Sequence, residues 1–157
     1  MTSTPIDILT VNGGSSGIKF ALYEAGESLT LLFAGEIEFG DKIGNINMYD
    51  AITGQKTSTD FTLTNRQNIA EILISYLEKQ DRFHAVNLIG HRVVHGMRHT
   101  APQLISDELL IDLKNISAYD PEHLPGEIKL IEALAKRFPA IPQVACFDTA
   151  MGMSRMW

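Results

Sequence analysis

The chain has 157 residues, a formal net charge of −6, 45% hydrophobic residues and 20% charged residues. This size and balance predict one globular domain, and the acidic charge argues against a broad nucleic-acid-binding surface. The single cysteine, Cys146, excludes a disulfide within the chain, and no apolar run reaches the about 18 residues of a membrane helix. The N-terminal segment also lacks the basic start of a signal peptide. We therefore expect a cytoplasmic protein that binds neither nucleic acid nor a membrane.

The first part of the chain is predicted to be a β-meander. Residues 6–11 form an apolar, β-branched run that leads into Asn12-Gly13-Gly14, as a strand leads into a turn. After that turn, apolar residues alternate with others over 18–23, which indicates a second strand and not a helix. A third strand is predicted over 28–39, and a hairpin over 45–63 that turns near Thr53-Gly54.

Helices and strands alternate in the remainder. A first helix is predicted to begin near Thr64 or Asn65, a second is capped by Ser106, and a third begins near Pro125 and stops at Pro139. The apolar face of the first helix consists of Ile69, Ile72, Leu73, Tyr76 and Leu77. Buried strands are predicted over 86–94 and 143–147. This order predicts a mixed sheet with helices on its faces, in a single domain.

A glycine-rich segment, Asn-Gly-Gly-Ser-Ser-Gly-Ile-Lys, occupies residues 12–19. Such a turn offers backbone N–H groups to an anion, but it is equally compatible with a plain tight hairpin. It also looks like the dinucleotide-binding turn of short-chain dehydrogenases. That interpretation is disfavoured because Lys19 replaces the last glycine, and because a strand, not a helix, is predicted to follow.

Three blocks together resemble the acetate and propionate kinases. They are residues 8–22, residues 89–96 (Ile-Gly-His-Arg-Val-Val-His-Gly) and residues 142–150 (Pro-Gln-Val-Ala-Cys-Phe-Asp-Thr-Ala). The resemblance implies an α/β, RNase H-like lobe of the actin, hexokinase and Hsp70 superfamily, with a mixed β-sheet flanked by helices. It implies that residues 1–157 are a single N-terminal lobe, and that the nucleotide-binding C-terminal lobe is absent from this chain.

The same resemblance implies an acyl-phosphate kinase. The expected reaction is the reversible, ATP-dependent phosphorylation of acetate or another short-chain carboxylate, which gives ADP and the acyl phosphate. The expected partners are a small carboxylate, ATP or ADP, and Mg²⁺, and the full-length protein is expected to be a homodimer. This fragment alone is expected to be inactive.

Site roles follow from the resemblance and from the chemistry of phosphoryl transfer. Arg92 and Asp148 are the implied catalytic residues, since an arginine fork binds carboxylate or phosphoryl oxygens bidentately. Asp148 and Asn12 are the implied metal-binding residues. The residues implied to bind substrate or phosphate are Asn12, Ser15, Ser16, Lys19, Arg92, Val94 and His95, with Val94 lining the acyl pocket.

Each of these residues also has a structural interpretation. Arg92 could be a salt-bridge partner, Asp148 could cap a turn, and the two serines could be ordinary turn residues. The functional interpretation predicts that Asn12, Arg92 and Asp148 converge, because each follows or ends an apolar strand and ligands collect at the carboxyl ends of parallel strands.

The histidines at 91, 95 and 99 are spaced by four residues, like metal ligands on a helix. The segment is predicted to be a strand, in which this spacing would spread the three side chains over about 13 Å. A zinc site is therefore disfavoured.

Two segments depart from the family pattern. Tyr119 stands where many members have a histidine before Asn-Pro, and Met151-Gly152 stand where Phe-His is usual. These departures leave open a diverged, non-catalytic protein that binds phosphate or nucleotide and has an interaction or regulatory role. A sugar kinase of the same superfamily is a weaker alternative, since sugar kinases lack the Gly-His-Arg-Val-Val-His-Gly block.

Overall fold

The computed structural model describes residues 4–13, 17–63, 69–93 and 101–147. The strands are β1 (Ile6–Gly13), β2 (Gly17–Ala25), β3 (Leu29–Phe39), β4 (Ile43–Asp50), β5 (Lys56–Thr62), β6 (Val86–Val93), β7 (Gln103–Leu104) and β8 (Gln143–Phe147). The helices are α1 (Ile69–Glu78), α2 (Asp107–Ile116) and α3 (Leu124–Arg137), with short 3-10 turns at Asp81–Ala85 and Ser117–Tyr119. No helix in these ranges is long and apolar enough to cross a membrane.

The eight strands form one mixed sheet in the order β5-β4-β3-β2-β1-β6-β8-β7. Strands β1 to β5 are an antiparallel meander. Beyond β1 the sheet becomes parallel, because β6 pairs parallel to β1 and β8 pairs parallel to β6. The carboxyl ends of β1, β6 and β8 therefore meet at one edge of the sheet, which we call the carboxyl edge.

The predicted meander is confirmed, and so is the strand after the glycine-rich segment. Strands β1 and β2 are antiparallel, with Asn12 opposite Lys19 and Gly13 opposite Ile18. A dinucleotide-binding turn would open a helix at this point, so that alternative is excluded. The two-residue strand β7 was not predicted.

The predicted helices are confirmed over the described residues. Ser106 is the N-cap of α2, where its hydroxyl oxygen accepts a hydrogen bond of 3.1 Å from the backbone N–H of Leu109. Thr64 and Asn65, the predicted start of the first helix, lie outside the described residues, which resume at Ile69 in α1.

All three described helices pack on the same face of the sheet. The Tyr76 hydroxyl of α1 donates to Met48 Sδ of β4 at 3.2 Å. The Gln143 side chain of β8 donates to the carbonyl of Ile131 in α3 at 3.2 Å. Helix α2 joins an apolar cluster with the ends of β6 and β8, made of Val93, Leu109, Leu113, Ile116, Leu124, Ile128, Ala145 and Phe147. No described helix lies on the opposite face, to which Asn12 belongs by strand alternation.

Candidate active site at the carboxyl edge

Asn12 and Arg92 occupy neighbouring positions at the carboxyl edge. The register of β1 and β6 pairs Thr10 with Gly90 and Val11 with His91, so Asn12 and Arg92 are the next residues on strands about 4.8 Å apart. Alternation along the strands directs both residues to the face opposite the helices. Both are half-buried, as expected of polar groups at the end of an otherwise buried strand.

Lys19 lies beside Asn12 on the next strand. The two residues are Cα partners across β1 and β2, and both line a concavity of about 530 Å³ on the helix-free face. The small side chains of Ala21 and Ala34 also line it, and Tyr23 belongs to its wall. Lys19 is exposed, so its ammonium group can reach an anion held near Asn12.

The remaining predicted site residues lie outside the described residues. These are Ser15, Ser16, Val94, His95 and Asp148. Val94 follows Val93 and Asp148 follows Phe147 in the sequence, and Val93 and Phe147 are Cα partners at the ends of β6 and β8. The convergence of Asp148 with Asn12 and Arg92 stays a prediction.

His91 belongs to the helix-covered core and not to the site. Its ring is hydrogen-bonded to the side chain of Gln143, whose amide donates in turn to Ile131. Burial lowers the pKa of His91 to about 4, against a smaller opposing effect of the bond to Gln143. The ring is therefore neutral at pH 7 and links β6, β8 and α3. The other two histidines of the four-residue spacing lie outside the described residues.

On the helix-free face, at the ends of β1 and β6, the side-chain carbonyl of Asn12 is an oxygen that could bind a magnesium ion. No group of three or more His, Cys, Asp or Glu side chains suited to a metal occurs in the described ranges. A single neutral oxygen fits a Mg²⁺ that keeps several waters and binds mainly to nucleotide phosphates. The carboxylate that such an ion usually takes from the protein would come from Asp148.

Cys146 is the Cα partner of Arg92 and is buried. Burial raises the pKa of its thiol, so the thiolate is disfavoured. The buried thiol is therefore poorly suited to act as a nucleophile.

One contact near the edge, between Asp120 and His123, was not predicted from the sequence. Tyr119 is 76% exposed, and the next residue, Asp120, is 7% exposed. Asp120 Oδ1 lies 3.1 Å from His123 Nδ1 and accepts a weak hydrogen bond of 3.4 Å from the His123 backbone N–H. An Asp-x-x-His spacing at the start of a helix is the sequence signal for this contact.

The mixed sheet, with its antiparallel meander and parallel centre, has the topology of a lobe of the actin, hexokinase and Hsp70 superfamily. The model of the Acetokinase family matches residues 7–155. The chain therefore belongs to the acetokinase family.

The relatives found by sequence and by structure are acetate and propionate kinases. The chain is 36% identical over 151 residues to an acetate kinase of Rhodopseudomonas palustris, covering 91% of this chain and 37% of the relative. It is 32% identical over 151 residues to a propionate kinase of Salmonella agona, covering 96% and 36%. The crystal structure of a propionate kinase from Francisella tularensis superimposes with a TM-score of 0.81 at 31% identity, covering 92% of this chain and 37% of that one. The chain thus spans little more than a third of the length of these relatives.

Proposed function

We propose that this chain is the N-terminal lobe of an acyl-phosphate kinase that transfers a phosphoryl group reversibly between ATP and acetate or another short-chain carboxylate. The observation that carries the proposal is the placement of Asn12 and Arg92 side by side at the carboxyl edge, next to the glycine-rich turn. Because the chain covers 37% of its acetate kinase relative, we assign the nucleotide-binding lobe to sequence that follows this chain. For the complete protein we expect a cytoplasmic homodimer.

The reaction needs little covalent chemistry from the protein. A carboxylate oxygen attacks the γ-phosphorus of ATP, the bond from that phosphorus to the bridging oxygen breaks, and ADP leaves with the electron pair. The carboxylate carries no proton, so no general base is required. The barrier arises mainly from bringing negative oxygens together, which positioning and charge neutralisation lower.

The residues at the edge suit that task. The Arg92 guanidinium can bind a carboxylate or phosphoryl oxygen with two charge-assisted hydrogen bonds. Asn12 can orient a phosphate or a water of the metal shell, and Lys19 adds a second positive charge close by. Ser15, Ser16 and the backbone of the turn would hold phosphate oxygens, and Val94 and His95 would border the acyl group. Mg²⁺, when bound to the nucleotide, would neutralise the phosphate charge.

A second candidate is a diverged member that binds phosphate or nucleotide without catalysis. The observation that favours it is the exposure of Tyr119, which occupies the position of a histidine in many relatives and extends into solvent. The two candidates differ in turnover and not in fold.

A trapping assay separates them. The complete product of the gene is incubated with Mg-ATP and hydroxylamine, and with acetate, propionate or no acceptor. We expect a hydroxamate only when a carboxylate is present, with one ADP released per hydroxamate formed. Nucleotide binding without any hydroxamate would support the non-catalytic alternative.

A further inference from the structure

Asp120 and His123 form a side-chain pair just before helix α3. The carboxylate is buried, whereas the side chain of His123 is 39% exposed. The contact from Nδ1 to Oδ1 is 3.1 Å. This arrangement ties one ring nitrogen to a buried acceptor and leaves the other, Nε2, available to a ligand.

The pair lies at the carboxyl edge. Helix α3 leads into β8 and covers β1, where a Cβ atom on Gly13 would lie 3.4 Å from Leu130 Cδ2 and 4.0 Å from Glu127 Cγ. His123 lies one helical turn before Glu127, whose N–H donates to the His123 carbonyl at 3.1 Å. The neighbouring Leu124 packs in the cluster that contains Val93 and Phe147, the last residues of β6 and β8.

The second oxygen of Asp120 supplies an independent observation. Oδ2 is buried and accepts no hydrogen bond from any described residue, so His123 supplies the side-chain hydrogen bond that the structure shows for this carboxylate. A buried carboxylate with so few hydrogen-bond partners lowers the stability of the fold, so its presence calls for an explanation such as a role in holding another group. The pair lies at the N-terminus of a 14-residue helix, where the helix dipole also favours a bound anion.

We propose that Asp120 is a positioning residue that holds the His123 ring by Nδ1 and so presents Nε2 to a phosphoryl oxygen at the carboxyl edge. The proposal rests on the proposed function and adds a site residue to it. His123 would supply the donor that Tyr119, which extends into solvent, does not. With a phosphoryl oxygen bound, both ring nitrogens carry protons, one donated to Asp120 and one to the ligand.

Charged groups on the same segment and on neighbouring elements also bear on an anion held by the pair. Glu122 and Glu127 lie on the same segment, and Arg92 lies at the end of β6. Lys114 of α2 is engaged by Glu132 at 3.5 Å, more than two helical turns further along α3. Arg92 reaches this edge from the helix-free face, and its charge would offset the repulsion that the two glutamates exert on an anion bound by His123.

The test uses the chain of residues 1–157 labelled with ¹⁵N, with inorganic phosphate and acetyl phosphate as probes. Without ligand at pH 8, we expect ring ¹⁵N shifts that show a proton on Nδ1 of His123, and loss of this preference in Asp120→Ala. Phosphate should shift Nε2 of His123 in the native chain. The variant His123→Asn should bind phosphate about fivefold more weakly or worse, while His123→Gln, which keeps a donor near Nε2, should bind within about twofold of the native chain.

Two controls show whether a loss of phosphate binding is specific to His123 and is not caused by unfolding. His84→Asn changes an exposed histidine away from the edge and should leave phosphate binding unchanged. Amide spectra show whether each variant is folded, and Asp120→Asn replaces Asp120→Ala if the latter is not.

Phosphate shifts at Asn12 with an unresponsive His123 would overturn this proposal and leave the proposed function standing. Equal binding by His123→Asn and the native chain, or no phosphate binding at all, would also overturn it. Failure of the hydroxamate assay with an intact His123 response would instead reject the proposed function.

Discussion

Arg92 ends a run of residues whose side chains alternate between the core and the helix-free face. His91 and Val93, on either side of it, are buried under the helices. The side chain of Arg92 therefore lies on the opposite face of the sheet, which is the face of Asn12. An arginine in that position matches the charge and geometry of a phosphoryl group that is passing between two oxygens.

Replacement of Arg92 by alanine should therefore lower the proposed turnover of the complete gene product by about 10²-fold or more, since loss of such a contact costs roughly 3 kcal/mol in the transition state. Arg137→Ala is the matched control, because Arg137 is exposed at the end of α3 and pairs with Glu78 at 2.8 Å. Turnover is measured at saturating substrates, with thermal unfolding as a check on folding. Near-native turnover of Arg92→Ala would remove Arg92 from the site.

His91 gives a prediction about stability. Its pKa is lowered to about 4 in the folded chain, from 6.5 for the free side chain, so the unfolded state binds more protons between these values. The neutral ring contributes its full stabilisation above pH 6.5, and that stabilisation is lost as the pH falls to about 4. The loss amounts to about 3 kcal/mol.

Urea unfolding of the chain at a series of pH values measures this effect. His91→Gln should show a shallower decline in the free energy of unfolding between pH 6.5 and 4, while His84→Gln, at an exposed histidine, should follow the native curve. Parallel curves for the native chain and His91→Gln would contradict the assignment.

At the scale of single residues, the positions and contacts of the site residues could be predicted only in part from the sequence. The position of Asn12 and Arg92 at the ends of apolar strands was predicted from the sequence, whereas the face that they share depends on the register between β1 and β6. The His91–Gln143 contact could not be predicted, since it depends on the register between β6 and β8. The Asp120 partner of His123 was missed for a similar reason, because its burial depends on how the 3-10 turn packs before α3.

At the scale of elements, local signals were sufficient wherever a segment carried its own pattern. The β-meander was predicted from alternation and turn residues, and α2 from its cap and its apolar spacing. Strand β7 has only two residues and exists through its pairing with β8, a contact between distant segments that no local pattern reveals.

The cap of α2 provides a test at this scale. Ser106→Ala removes the acceptor for the Leu109 N–H, so the free energy of unfolding should fall by about 1 kcal/mol. Ser75→Ala, at an exposed position within α1, should change it by less than about 0.5 kcal/mol. Chemical denaturation measures both variants. Equal effects of the two substitutions would show that the cap has no special role.

At the scale of the whole molecule, we assign to this chain the contacts with the carboxylate and the transferred phosphoryl group. The carboxyl edge brings Asn12, Lys19 and Arg92 together, and we propose that the contacts with adenine and ribose belong to a second lobe. The relatives are more than twice as long as this chain. Residues 1–157 alone would leave the metal–nucleotide unpositioned, and most of the rate acceleration depends on that positioning.

The most direct test of the account is ³¹P NMR of the reverse reaction. Acetyl phosphate and Mg-ADP are mixed with the complete gene product and, in a parallel sample, with residues 1–157. We predict that the γ-phosphorus signal of ATP grows as the acetyl phosphate signal declines in the first sample, and that no ATP forms in the second. Absence of ATP in the first sample, or its formation by residues 1–157 alone, would contradict the assignment of this chain as one lobe of an acyl-phosphate kinase.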